Sequence, residues 1–209
     1  MTDYTETEVK FYMPDLPGFA QRLEATGAEL TAPRVYERNV RYENAEKSLT
    51  ERGLVVRLRQ DTRVRLTYKE PPPTGSTISD LSHRFEAEVE VSDFDTMEVI
   101  LGKLGYFPHL VYEKYRTTYQ LDGVEVVLDE MPYGGFIELE GAADAIENVI
   151  QKLDLQNQRR YATNYISLFE NVRHNLGLDF TDLTFANFEG IEVTEQMFVF
   201  PGSTNQRAE

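Results

Sequence analysis

Period-two alternation of apolar and polar residues dominates the first two thirds of the chain and predicts strands. Residues 5–11 alternate, with Val9 and Phe11 on the face opposite Glu6, Glu8 and Lys10. The same period returns at residues 35–42, 54–60 and 64–70, and most regularly at 82–91. Residues 112–120 and 124–130 read as the arms of a hairpin turning at Asp122-Gly123, a favoured turn dipeptide, with a further short strand at 135–140. Helical spacing holds at 15–30, where Leu16, Phe19, Ala20, Leu23 and Ala28 share a face and Gly27 is the expected stop, and again at 94–104, 142–153 and 161–176. The run Pro71-Pro72-Pro73-Thr74-Gly75-Ser76 cannot join a sheet and predicts a loop. From Leu178 neither period is sustained, and residues 201–209 read as disordered.

Several strands per helix, in hairpin order, predict an α+β fold with a mostly antiparallel sheet and helices on one face. The chain of 209 residues suits one domain, or one domain with an appendage, and has no repeat or linker tract. It has no cysteine, which excludes disulfides, thiolate metal sites and cysteine nucleophiles. No apolar run approaches the roughly 20 residues needed to cross a bilayer. The first residues lack the basic start and apolar run of a signal peptide, so a cytoplasmic protein without membrane contact is expected. A net charge of −15 argues against a general nucleic-acid binder. His83, His109 and His174 have no metal-ligand spacing, and Met131-Pro132-Tyr133-Gly134-Gly135 reads as a turn rather than a phosphate loop.

The charge on the strands is less ordinary than the total. Arg57 and Arg59 lie opposite Val56 and Leu58, and Arg65 and Lys69 lie opposite Val64, Leu66 and Tyr68. Arg84, Glu86, Glu88 and Glu90 face away from Phe85, Ala87, Val89 and Val91. Lys114 pairs with Arg116, Glu138 with Glu140, and Asp129 closes its strand. One polar face per strand is common in antiparallel sheets, where it meets water. Here the faces concentrate arginine, suited to bidentate phosphate contacts, beside carboxylates two residues and thus roughly 7 Å apart. If the sheet closes, these faces point inward together and need partners, because unpaired buried charge is costly. Basic groups would then hold phosphate oxygens and carboxylates a Mg²⁺ or Mn²⁺ bridging to them. Tyr36 and Arg38 read equally as tunnel residues or as a solvated face.

Glu6-Thr7-Glu8-Val9-Lys10 resembles the ExExK signature of the CYTH superfamily, the triphosphate tunnel metalloenzymes. Val56-Arg57-Leu58-Arg59, Leu66-Thr67-Tyr68-Lys69, Arg84-Phe85-Glu86-Ala87-Glu88, Lys114-Tyr115-Arg116, Asp129 and Ile137-Glu138-Leu139-Glu140 follow in the family's order, so the resemblance runs from residue 4 to about 170. It implies a closed eight-stranded antiparallel barrel with helices outside, a tunnel domain over residues 1–177, and an extension over 178–209 that is partly disordered. It implies Glu6, Glu8, Asp129, Glu138 and Glu140 as metal ligands, and Lys10, Arg57, Arg59, Lys69, Arg84, Lys114 and Arg116 as triphosphate contacts. Glu86 and Glu88 match further tunnel carboxylates, Glu90 has no assigned role, and the region of Tyr161 and Tyr165 would border the tunnel. The expected partner is a small-molecule triphosphate (tripolyphosphate, thiamine triphosphate or a nucleoside triphosphate), bound by a monomer or homodimer. Hydrolysis, with Lys69 as a possible base, is the first reading. Class IV adenylate cyclase chemistry is the second, and a non-catalytic polyphosphate-binding module the third.

Overall fold

The computed structural model describes residues 5–71 and 82–199, without the side chains of residues 5, 6, 82 and 83. The expected loop beyond Pro71 and the expected disorder of 201–209 lie outside the described residues. The elements are β1 (Thr5–Tyr12), α1 (Leu16–Ala25), β2 (Glu29–Glu43), α2 (Ser48–Glu51), β3 (Val55–Gln60), β4 (Val64–Lys69) and β5 (Ser82–Val91). They continue with α3 (Phe94–Lys103), β6 (Phe107–Leu121), β7 (Val124–Met131), β8 (Gly134–Glu140), α4 (Ala143–Lys152), β9 (Arg160–Tyr161), α5 (Tyr165–Leu176) and a 3₁₀ turn at Glu195–Phe198.

All ladders are antiparallel, and the order β5-β4-β3-β2-β6-β7-β8-β1 returns to β5 through a β1–β5 pairing. Eight strands therefore close into a barrel, as the sequence led us to expect. Strand β1 is the seam: its first half pairs with β5, from Thr5↔Phe85 to Glu8↔Ser82, and its second half with β8, from Glu8↔Glu140 to Tyr12↔Phe136. Where β5 leaves that edge, the two residues of β9 take it over. The β6–β7 turn is Asp122-Gly123, both at positive φ, the backbone that a tight two-residue hairpin needs.

Apolar strand residues sit outside the barrel, most of them under helices, while Phe85 and Val89 of β5 stay exposed. Leu16, Phe19 and Leu23 of α1 and Ile146, Val149 and Ile150 of α4 bury Val9, Phe11, Val126, Leu128, Ile137 and Leu139. Phe94 and Leu101 of α3 cover Val40, Tyr42 and Leu58. Each helix start is chemically marked where it could be: Asp15, Asp93 and Asn164 accept from Gly18, Thr96 and Ser167 backbone N–H groups. Among the described residues, no helix is long and apolar enough to cross a membrane.

Several boundaries differ from the sequence expectation, and β6 for one begins at Phe107 rather than 112. Helix α1 stops at Ala25, five residues early, because Gly27 at φ +90 turns the chain out, and Glu29 already pairs with Gln120. Strand β2 is correspondingly long and passes Pro33 through register shifts, where a residue without an N–H is tolerated. A short α2 was not foreseen; buried Glu43 holds it, accepting from the Asn44, Leu49 and Thr50 backbone N–H groups and the Thr50 hydroxyl. Tyr161 belongs to β9 rather than to the last helix, which begins at Tyr165.

Candidate active site

Because side chains alternate across a strand, apolar packing outside forces the intervening charged positions inside. They line a cavity of about 570 Å³. Among its described lining residues, ten are Lys or Arg and eight are Asp or Glu, so the wall is net basic within a chain of −15. Glu8, Lys10, Arg57, Arg59, Lys69, Arg84, Glu86, Glu88, Lys114, Arg116, Glu138 and Glu140 all line it, as expected.

On the β1, β8, β7 and β6 wall, Lys10 Nζ lies 2.7 Å from Glu8 and 3.0 Å from Glu138. Arg116 reaches Glu138 at 2.5 Å and forks onto Asp129 at 2.8 and 2.6 Å. Lys114 Nζ donates to the same Asp129 carboxylate at 3.0 Å, and so does the Tyr165 hydroxyl at 2.9 Å. The two ammonium groups stand 5.5 and 5.6 Å from the centre of the Tyr165 ring. Burial would pull the Lys10 pKa down, but Glu138 and Glu8 outweigh it and hold the pKa above the usual lysine range. Burial would push Glu138 up, yet Lys10, Arg116 and Lys114 keep it well below the usual carboxylate range.

The opposite wall is built by β2 to β5. Arg57 donates to the Tyr112 hydroxyl at 3.0 Å and to Thr67 at 3.1 Å. Arg59 donates to Glu88 at 2.9 Å, and Thr67 donates to the same carboxylate at 2.8 Å. Arg65 is ion-paired with Asp61, and Lys69 Nζ lies 2.5 Å from Glu86. Glu37 bridges the walls, 3.5 Å from Arg59 and 3.6 Å from Lys114. Burial opposes ionisation of Glu37, but Lys114, Arg116, Arg59 and Arg57 together hold its pKa far down. Several buried polar atoms here have no hydrogen-bond partner: Glu37 Oε2, both amide atoms of Asn39, and Nε of Arg57, Arg59, Arg65 and Arg84. Each such atom costs stability of about 1–3 kcal/mol unless something else meets it.

Some placements depart from the pattern. Asp129 has no solvent exposure and sits behind the cavity wall, holding Lys114 and Arg116. The Glu6 side chain lies outside the described residues, although its backbone pairs with Arg84. Glu90 is exposed and is not among the lining residues, and it meets Arg63 of the lining at 3.4 Å. Tyr165 lines the cavity, whereas Tyr161 is buried beside it and bonded to Glu195. Tyr36 and Arg38 face outward, onto Glu113 and the Phe94 ring. The inner residues of β2 are Glu37, Asn39 and Arg41, which the sequence reading missed by one position. The signal was present: these three polar residues alternate with Val40 and Tyr42, the apolar pair that α3 covers.

The chain matches the CYTH domain family model over residues 5–165. A Methanocaldococcus jannaschii protein named as a candidate adenylate cyclase is 26% identical over 138 residues, 65% of this chain and 75% of its own length. The solved structure of PH1819 from Pyrococcus horikoshii is 25% identical with a TM-score of 0.63, covering 79% of this chain and 98% of that one. HpAC1 of Hippeastrum, described as an adenylyl cyclase candidate with a dominant triphosphatase activity, shares the fold at 17% identity and a TM-score of 0.59, over 79% of this chain and 95% of its own.

Proposed function

The chain belongs to the CYTH domain family, and from that premise we propose that its cavity binds a triphosphate and hydrolyses it with the help of a divalent cation. The observation that carries this reading is the net basic wall enclosed by an otherwise acidic chain. Such a wall is stable only if its charges compensate one another, and it is useful only if a polyanion can exchange for some of the carboxylates.

The chemistry of the donor set suits a hard cation, although among the described residues no three carboxylates already converge as a metal site. Glu8 and Glu140 are direct cross-strand neighbours, Lys10 and Glu138 are the next such pair, and the Lys10 ammonium already shares Glu8 and Glu138. Only carboxylate oxygens are offered, as Mg²⁺ and Mn²⁺ prefer. Glu8, Glu138 and Glu140, joined by Glu6, would hold the ion, which supplies charge neutralisation on the phosphate oxygens when bound. Asp129 belongs to the support of this site, positioning Lys114 and Arg116.

Arg57, Arg59, Arg84 and Arg116 would grip phosphate oxygens through guanidinium edges, and Lys10, Lys69 and Lys114 as point charges. Lys69, held against Glu86, is arranged as a cation, so we assign it to phosphate binding in preference to proton removal. In the reaction a water oxygen bonds to the terminal phosphorus as the bridging P–O bond breaks, and the fixed cations stabilise charge gathering on the leaving oxygen. Cyclisation of ATP is the second reading. It is favoured by a neutral strip of the lining, Thr31, Ala32, Val35, Thr118 and Ile166, that would accept a nucleoside.

Incubation with tripolyphosphate or ATP in Mg²⁺ or Mn²⁺, followed by phosphorus NMR, separates the readings. Orthophosphate from either substrate, abolished in Glu8→Gln, supports hydrolysis. Pyrophosphate with cyclic AMP would transfer the proposal to a cyclase, and binding without product in any metal would reduce the protein to a binding module.

A further inference from the structure

Arg41 is placed at a cost that no ion pair among the described residues offsets. It stands directly opposite Arg57 in the β2–β3 ladder, and like charges at facing positions destabilise a sheet. It lines the cavity, and among the described residues no carboxylate lies within ion-pairing distance of its guanidinium. Arg84 adds a third positive charge near by. Burial, with Arg57 and Arg84, outweighs the opposing pull of Tyr112 and Glu43 and brings the Arg41 pKa below the usual arginine value. Next on the same face, Asn39 is fully buried with neither amide atom hydrogen-bonded. The neighbouring cations behave differently: Lys10, Arg59, Lys69, Lys114 and Arg116 each hold a carboxylate at 3.0 Å or less.

Position gives the cluster a meaning. In the ring of eight, β2 is four strands from β1 in either direction, so Arg41 is on the wall across from Glu8, Glu138 and Glu140. A ligand that engages the carboxylate wall through a cation and Arg41 directly must span the barrel. We infer that Arg41, with Arg57 beside it, forms a subsite for the terminal phosphoryl group of the substrate and so selects a chain of three phosphates over one of two. The inference rests on the triphosphate reading above. A carboxylate-free arginine has no ion pair to surrender when a phosphoryl dianion arrives, so binding gains its full charge-assisted hydrogen bonds.

The test is calorimetric titration of tripolyphosphate and of pyrophosphate into the wild type, Arg41→Gln and Arg41→Lys, in Ca²⁺ with phosphorus NMR verifying that the ligand stays intact, together with the melting temperature of each free protein. Arg41→Gln is expected to weaken tripolyphosphate at least about tenfold and pyrophosphate less than about twofold. Arg41→Lys should fall between. The free Arg41→Gln protein should melt at the same temperature as the wild type or higher, because an uncompensated charge has gone. Tripolyphosphate affinity within about twofold of the wild type, or equal losses for both ligands, would overturn the subsite. A clear drop in the melting temperature of the free variant would overturn it as well, by showing that Arg41 serves the fold. Wild-type protein that binds neither ligand would instead bring down the triphosphate reading itself, and this inference with it.

Discussion

Asp129 accepts from Lys114, from Nε and Nη2 of Arg116 and from Tyr165 while fully excluded from water. Its two oxygens are thereby occupied, and the residues it fixes are cations of the cavity wall. This separates two roles that look alike in a sequence, where Asp129 is simply a carboxylate near the end of a strand. A carboxylate that holds neighbours carries stability, whereas one that faces a ligand carries affinity. Asp129→Asn takes the shared carboxylate from two buried cations, leaving Lys114 only Glu37 at 3.6 Å and Arg116 only Glu138, and should cost about 3 kcal/mol. Glu8→Gln should cost much less, because Lys10 retains Glu138. Urea unfolding of both variants in EDTA checks this. If Glu8→Gln proved the more destabilising of the two, the division of roles would be reversed.

Residues 178–199 fall outside the family match, and yet they complete the packing of α5 against the barrel. Leu183 bonds through its backbone to Val111 and Glu113 on β6. Asn171 and Asn175 of α5 donate to the carbonyls of Met197, Phe198 and Val199. Phe198, 2% exposed, is gripped by Tyr12, Tyr133, Phe136 and Tyr161, with ring centres 5.0–6.1 Å away. Phe198→Ala should cost about 3–5 kcal/mol, as for other buried aromatic truncations. Because Tyr165 is in the same cluster, hydrogen exchange at the start of α5 should accelerate with it; unchanged exchange there would show that the extension is an independent appendage. None of this was legible beforehand. Phe180, Leu183, Phe185, Phe188, Ile191 and Val193 follow neither strand nor helix period, since the segment packs as irregular backbone. What was legible follows one rule: β1, β3, β4, β5 and β8 each set consecutive apolar residues opposite charged ones, so the polar face was assigned correctly. Strand β2 failed because its first half, around Pro33, carries no alternation to set the phase.

For the whole molecule, the question is how a chain of −15 admits a polyanion. The described lining carries two net positive charges, Asp129 bonded directly behind it leaves one, and about sixteen negative charges remain elsewhere. One charge at about 6 Å in an effective dielectric of about 20 attracts each unit of ligand charge by about 3 kcal/mol. Sixteen charges spread at about 20 Å through water repel it by about 3 kcal/mol before screening. The two nearly cancel at low ionic strength. As salt rises from about 0.01 to about 0.1 M the Debye length falls from about 30 to about 10 Å, removing most of the distant repulsion and little of the enclosed attraction. Tripolyphosphate affinity, measured in EDTA, should accordingly rise or stay level over that range, opposite in sign to the fall expected for an exposed basic patch. A steep fall would mean that the wall contacts its ligand as solvent-exposed charges do, and that closure of the barrel contributes no focusing of the field.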